Sequence, residues 1–420
     1  MADLLKDMIG RLSRLLRSRF TKRVGSLSLA TLVGQAIGLL SLAIIARTFA
    51  QEDVGAYGVF LSYGAIATAL ALLCYEISLP NLPEEDVPAF LAGLMALATL
   101  AGGLVLIGFS IAGYEYAWPL ALFIAAGGIG KLSEMANIRS QRFKLIAVFR
   151  LANPLLLLFI LGMVFVLGLR NPALIIWGNA LAVTVTAVVY GTISLRPHLK
   201  AFAPSRLLAL MLDKKMNALL LAPSEIANNA AYNLPVILID SYFSAALAAQ
   251  YSMMLKFCFG PAGLIGSVVG QVYHGHLADS IRHGDTGIYE RYRQMRNYLL
   301  LAGGGIAVGI ITMFPWLMRL ILGEGWDEAG AFAQILAPIV GAMVVSAPLS
   351  MVFYVTERQG FLFAVQFGYL AISLVAFGVA IGVSNLWFGI ALFSALSMVR
   401  YWIILSKIDR TFRAGFLRKS

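Results

Sequence analysis

The 420 residues predict an all-α polytopic membrane protein of about twelve transmembrane helices, arranged as two six-helix lobes. Three observations carry this. The chain is 60% hydrophobic and only 13% charged, against about 25% charged in ordinary soluble domains. Its mean hydropathy is +0.83. Apolar runs of about 20 residues, the length that crosses a bilayer as a helix, recur from residue 25 to residue 406. These properties exclude disorder, a coiled coil and a water-soluble enzyme, and they leave no room for a second, soluble domain.

The spans are read at 25–46, 54–78, 88–111, 117–138, 147–168 and 173–194, then at 218–240, 247–273, 295–321, 327–354, 362–382 and 386–406. Helix follows from the solvent: backbone groups in lipid must pair within the segment, and the runs are too long and too uniformly apolar for barrel strands. The loops set the orientation. With the N-terminus inside, 28 of the 32 Lys and Arg are cytoplasmic, Arg47, Arg170 and Arg319 are outside, and Lys256 lies within a span. That is a strong positive-inside bias, and an even number of spans returns the C-terminus to the cytoplasm. The expected location is therefore a membrane crossed many times. The net charge of +11 sits in clusters between apolar runs, which suits anionic lipid headgroups rather than nucleic acid.

The expected organisation is a basic N-terminus at 1–24, a first lobe at 25–194, a cytoplasmic linker at 195–217, a second lobe at 218–406 and a basic tail at 407–420. Leu4, Leu5, Met8, Leu12, Leu15 and Leu16 share one face of the N-terminal stretch, which predicts an interfacial helix or a partner-binding one. An internal repeat supports two lobes. Phe49–Tyr57 (FAQEDVGAY) aligns with Phe243–Tyr251 (FSAALAAQY), each joining the first and second spans of its lobe.

At the first outer loop the residues become recognisable. Ala46–Phe49 and Glu52–Gly58 resemble the junction of spans one and two in Wzx-type polysaccharide flippases, a branch of the multidrug/oligosaccharidyl-lipid/polysaccharide exporter superfamily. Tyr75-Glu76 with Leu79-Pro80 and Glu84–Asp86, the basic run Arg139–Lys144 with Arg150, and Leu234-Pro235, Tyr251, Lys256, Pro261 and Gln271 are similar to later parts of that branch. One departure is Cys74, which stands where many relatives carry a base. The resemblance implies a flippase that moves a polyprenyl-diphosphate-linked oligosaccharide from the inner to the outer leaflet by alternating access. Its implied partners are that lipid-linked glycan, membrane lipids and other polysaccharide-assembly membrane proteins.

Lys256 is the sharpest candidate. It lies nine residues into its span, roughly 13 Å deep at about 1.5 Å per residue. A Lys at mid-helix costs about 2.5–3.5 kcal/mol on insertion scales. It can meet the substrate diphosphate, pair with Asp240 or Glu225, or snorkel to one face. On the seventh span Glu225, Asn228, Asn229 and Tyr232 recur at helical spacing. Such a face suits sugar hydroxyls or interhelical hydrogen bonds, and Glu225 suits a coupling H+ or Na+. Gln35 is a weaker polar candidate on span one. Arg139, Arg142 and Arg150 surround the inner mouth between spans four and five, where they can collect a diphosphate or simply obey the positive-inside rule. Arg47 can gate the outer rim or cap a helix; Glu76 and Glu134 can couple an ion or lock salt bridges.

Gly34/Gly38, Gly266/Gly270, Gly305/Gly309 and Gly378/Gly382 are small-xxx-small pairs that permit close helix approach. Gly127-Gly128-Ile-Gly130-Lys131 lacks the Walker spacing, so no nucleotide site is expected. Cys74 and Cys258 have no metal-ligand or disulfide spacing, and His274, His276, His283 and Asp279 are not expected to bind metal. With no nucleophile–base signature and very short outer loops, neither an enzyme nor a cofactor is expected. The rival readings are a cation-coupled drug antiporter of the same superfamily, which should carry an acidic central pocket, and a membrane-embedded glycan-processing enzyme.

Overall fold

The structure is a computed structural model and describes residues 19–169, 171–195, 204–282, 287–356 and 359–416. The expected N-terminal interfacial helix lies outside the described residues. The described elements are helical: α1 (Arg19–Thr48), α2 (Gln51–Leu70), a 3-10 turn (Tyr75–Asn81), α3 (Val87–Ile111), α4 (Ala117–Arg139), α5 (Phe143–Val166), α6 (Ala173–Leu195) and α7 (Pro204–Asp213). A π-helical segment at Asn217–Leu221 leads into α8 (Ala222–Tyr242), and a second at Leu255–Phe259 joins α9 (Ala245–Met254) to α10 (Gly260–Arg282). Then follow α11 (Ile288–Leu322), α12 (Asp327–Leu349), the single turn α13 (Val352–Val355), α14 (Gln359–Gly382) and α15 (Leu386–Phe416).

Among the described residues, ten helical segments are long and apolar enough to cross a membrane. α4 and α8 are long enough as well, but polar residues such as Lys131, Glu134 and Arg139, or Glu225, Asn228 and Asn229, lower their hydropathy. The outward faces are those of a lipid-embedded protein. Ile111 is 82% exposed and Val166 79%, and of the apolar window of α5 only 11% is buried. Burying such side chains is worth roughly 1.5–3 kcal/mol each, so water is not their solvent.

Contacts divide the chain into two compact units. One comprises residues 1–41 and 70–218, the other 42–69 and 219–420. Residues 42–69, read from sequence as part of the first lobe, thus pack with the C-terminal helices. In the first unit α4 lies between α3 and α6, and its base closes over a cluster of Leu72, Tyr75, Phe90, Leu94, Leu132 and Leu210. In the second, α11 and α12 make the most extensive contact, and α14 packs on α15 and α8. Its core is aromatic: Tyr251, Phe332, Phe353, Tyr369, Phe377 and Phe393 are fully buried.

Three sequence expectations change. The span read at 54–78 stops at Leu70, because Leu73 (φ 49°) and Cys74 (φ 58°) turn left-handed and the chain enters the 3-10 turn. A right-handed helix cannot continue through such residues. The last helix runs to Phe416 rather than 406. Among the glycine pairs, Gly305, Gly309, Gly378 and Gly382 face open space; the tight crossing of α11 and α12 is instead made by Gly303 and Gly341.

Candidate functional site

In the second unit, Lys256 sits inside the π-helical segment Leu255–Phe259. Its cause is local: Pro261 lacks the N–H that would bond to Phe257 O, and Gly260 N–H bonds to Leu255 O instead. Such π-bulges recur at functional sites because they re-aim side chains. Lys256 lies eleven residues after the start of α9, about 16 Å along the helix and so near mid-membrane. Neither Asp240 nor Glu225 pairs with it; among the described residues it has no ion-pair partner. Asp240 stands beside Tyr63. Glu225 is exposed and accepts from Asn229 Nδ2, which also bonds to Glu225 O at 2.9 Å. Asn233 continues the ladder onto Asn229 O, so much of the polar face of α8 is satisfied along its own helix. Asn228 is half-buried on that helix.

A second intramembrane cation, Arg400, was not singled out from sequence. It lies fourteen residues into α15, about 21 Å along it. Its Cζ stands 3.9 Å from the ring centroid of Tyr369 and 4.4 Å from that of Tyr401. Tyr369 is fully buried and meets Tyr232 edge-on at 5.0 Å; Tyr232 in turn meets Phe259, one turn beyond Lys256. Arg400 Nε is buried with no hydrogen-bond partner, and no described carboxylate pairs with the guanidinium. The aromatic faces hold the cation by its π-quadrupole.

In the first unit, α4, α5 and α6 line a cavity of about 170 Å³. Its walls include Lys131, Glu134, Phe149, Arg150, Asn153 and Tyr190. Arg150 Nη2 donates to Glu134 Oε1 at 2.6 Å, and its Nη1 donates to Thr31 Oγ1 on α1. Gly34, one turn further along α1, permits this approach; a Cβ there would meet Arg150 O at 2.9 Å. Gln35 is half-buried beside it. Tyr190 stacks on Phe149 at 4.2 Å, and its buried Oη makes no hydrogen bond of acceptable geometry. The neighbouring Asn137 directs its amide to Ser133 O and Ser194 Oγ. Asn153 and Tyr190 escaped the sequence reading; the helical spacing of Thr186 and Tyr190 on α6 was the available signal.

The other expected residues have structural partners or none in the cavity. Arg139 donates to Leu79 O (2.8 Å), Pro80 O (3.1 Å) and Glu84 Oε1 (2.7 Å), clamping the loop before α3. Arg142 is exposed at the start of α5. Glu76 is buried within the 3-10 turn. Arg47 donates to Leu320 O (2.5 Å) and Ile321 O (2.8 Å), capping α11. Among the described residues no group of three or more His, Cys, Asp or Glu could hold a metal ion.

Several transporters are among the solved structures similar to this chain. An inward-facing MATE-family multidrug resistance transporter of the MOP superfamily matches with a TM-score of 0.66 at 14% identity, over 92% of this chain and 99% of its own. The lipid II flippase MurJ in an inward closed conformation matches at 0.67 and 12%, over 91% and 87%. A MOP superfamily transporter from Pyrococcus furiosus, described by the reversed polarity of its binding pocket, matches at 0.58 and 13%, over 94% and 97%. No curated protein sequence matches the chain. The family described as "Polysaccharide biosynthesis protein" matches residues 112–331, just over half of the chain. Together with the helical membrane architecture, that match makes this chain a member of the polysaccharide biosynthesis protein family.

Proposed function

We propose that the protein is a flippase that carries a polyprenyl-diphosphate-linked oligosaccharide from the cytoplasmic to the outer leaflet of a bacterial inner membrane. The observation that carries this reading is the pair of membrane-embedded cations, Lys256 and Arg400, neither of which has a described carboxylate partner. Each costs about 2.5–3.5 kcal/mol to hold at mid-helix on insertion scales. An anionic headgroup offsets that cost; a cationic drug adds to it. The drug-antiporter reading therefore fits poorly, since it needs an unpaired acid where these bases stand.

In this reading the diphosphate meets the ammonium of Lys256 and the guanidinium of Arg400. The fork of a guanidinium suits two phosphate oxygens, whereas the ammonium acts as a point charge. The polyprenyl tail remains in lipid, and Asn228 on α8 meets sugar hydroxyls. Alternating access moves the headgroup, driven by an ion gradient or by consumption of product outside. The protein itself performs no bond-breaking step.

The test is flipping of a fluorescent polyprenyl-diphosphate oligosaccharide in vesicles containing the purified protein. Lys256→Ala at normal folded yield should lower the rate at least ten-fold. An unchanged rate removes Lys256 from the path. Sugar turnover by the protein alone overturns the reading as a whole.

A further inference from the structure

The linker helix α7 presents two different faces. One is docked. Leu210 is buried in the inner cluster of the first unit, and Leu207 fills the space over Gly93, where a Cβ would collide with it. Arg206 Nε donates to Asp86 Oδ1 at 2.6 Å, and Tyr75 Oη donates to Met211 O at 3.2 Å. Just beyond α7, Asn217 Nδ2 donates to Ser78 Oγ at 2.7 Å. A segment held at so many points is not a loose tether.

The opposite face is apolar and uncovered. Leu208 is 59% exposed, Leu212 60% and Met216 52%. Leu208 and Leu212 lie four residues apart on α7 and so share one face, and Met216 follows just past the end of the helix at Asp213. Asp213 and Lys215 flank this face, both exposed.

We propose that α7 lies in the plane of the membrane, with the Leu208–Leu212–Met216 stripe in the acyl-chain boundary and Lys215 beside phospholipid phosphates. Depth argues for lipid over a protein partner. α3 has 25 residues, about 37 Å of helix against a hydrocarbon core of roughly 30 Å, which leaves about 4 Å outside at each end. Gly93 is six residues from the Val87 end, about 9 Å along, and therefore inside the hydrocarbon layer. A helix packed on Gly93 sits at the level of the acyl chains and headgroups, not in bulk water. Its outward leucines meet lipid there, and a lysine beside them reaches the phosphates by its flexible stem. The connection between the two halves of the chain is thus itself a membrane anchor.

The experiment places an environment-sensitive fluorophore on Leu212→Cys and, separately, on its neighbour Asp213→Cys, in the full-length protein. The native thiols, Cys74 and Cys258, are buried, and unsubstituted protein reports any labelling of them. Vesicles are phosphatidylethanolamine and phosphatidylglycerol with spin-labelled acyl chains as quencher. The label at 212 should be quenched at least twice as strongly as that at 213, and Leu208→Cys should behave like 212. Equal quenching at 212 and 213 overturns the proposal. So does a label at 212 that lipid quenchers miss but that is also shielded from aqueous iodide, because a protein then covers the stripe.

Discussion

Gly55 and Ala245 meet backbone to backbone: a single methyl group on Gly55 would run into the carbonyl of Ala245. The two residues belong to the two copies of the sequence repeat, and one turn further along Gly58 faces the side chain of Ser252. The start of α2 and the start of α9 therefore pack against each other through the repeated segment. Gly55→Ala should cost about 1–3 kcal/mol by overpacking. Gly38→Ala, where nothing lies within 4 Å, should be neutral or slightly stabilising. Thermal unfolding in detergent, with folded yield from gel filtration, reads the difference.

Much of this architecture was legible. Apolar length and the lipid solvent together fix helix; the repeat marked the two segments but assigned each to its own lobe, and gave no sign that they pack on each other at Gly55 and Ala245. The site was less so. Arg400 lies inside the span read at 386–406 yet counts there among the cytoplasmic bases, because a tally of charges by loop does not report depth along a helix. Counting fourteen residues from Leu386 would have placed it deep, and the adjacent Tyr401 hinted at a cation–π partner. The break after Leu70 left no mark, because left-handed Leu73 and Cys74 are not turn-forming residue types. Which polar residues satisfy one another, as Asn229 does with Glu225, depends on rotamers that spacing does not encode.

Two arginines of one basic cluster should separate by phenotype. Arg139 clamps Leu79 O, Pro80 O and Glu84, so Arg139→Ala should lower thermal stability by about 1–3 kcal/mol and leave the flipping rate per folded molecule within two-fold. Arg150 shares its cavity with Lys131 and Glu134, and its pair with Glu134 is about one-third exposed, so its loss should cost only about 1 kcal/mol. Arg150→Ala should instead cut flipping several-fold. Rates normalised to folded protein decide; equal rate losses for both would refute the separation.

Arg47 should act as a helix cap rather than as a substrate contact. It satisfies the last carbonyls of α11, while Gln51 and Gln250 both donate to Gly325 O at 2.6 Å. Arg47→Ala should leave those carbonyls to water and loosen the 320–326 segment. Hydrogen–deuterium exchange there should rise at least three-fold, with exchange in α4 unchanged. An unaltered 320–326 peptide would show that the cap contributes nothing.

Arg400 offers the most discriminating substitution, because charge and shape can be varied separately. Lysine keeps the charge but loses the planar stack on Tyr369 and Tyr401 and the fork that meets two phosphate oxygens. Glutamine keeps a planar head and loses the charge. If the residue only holds α14 and α15 together, both variants should forfeit the cation–π contribution, about 0.5–2 kcal/mol, in thermal stability and transport normally once folded. If it binds the diphosphate, glutamine should abolish flipping and lysine should retain a small fraction. The lysine variant should also need a higher concentration of lipid-linked substrate for half-maximal rate, since a point charge replaces a two-pronged contact. A glutamine variant with an unaltered rate would assign Arg400 to packing alone and leave Lys256 to carry the headgroup contact in the second unit.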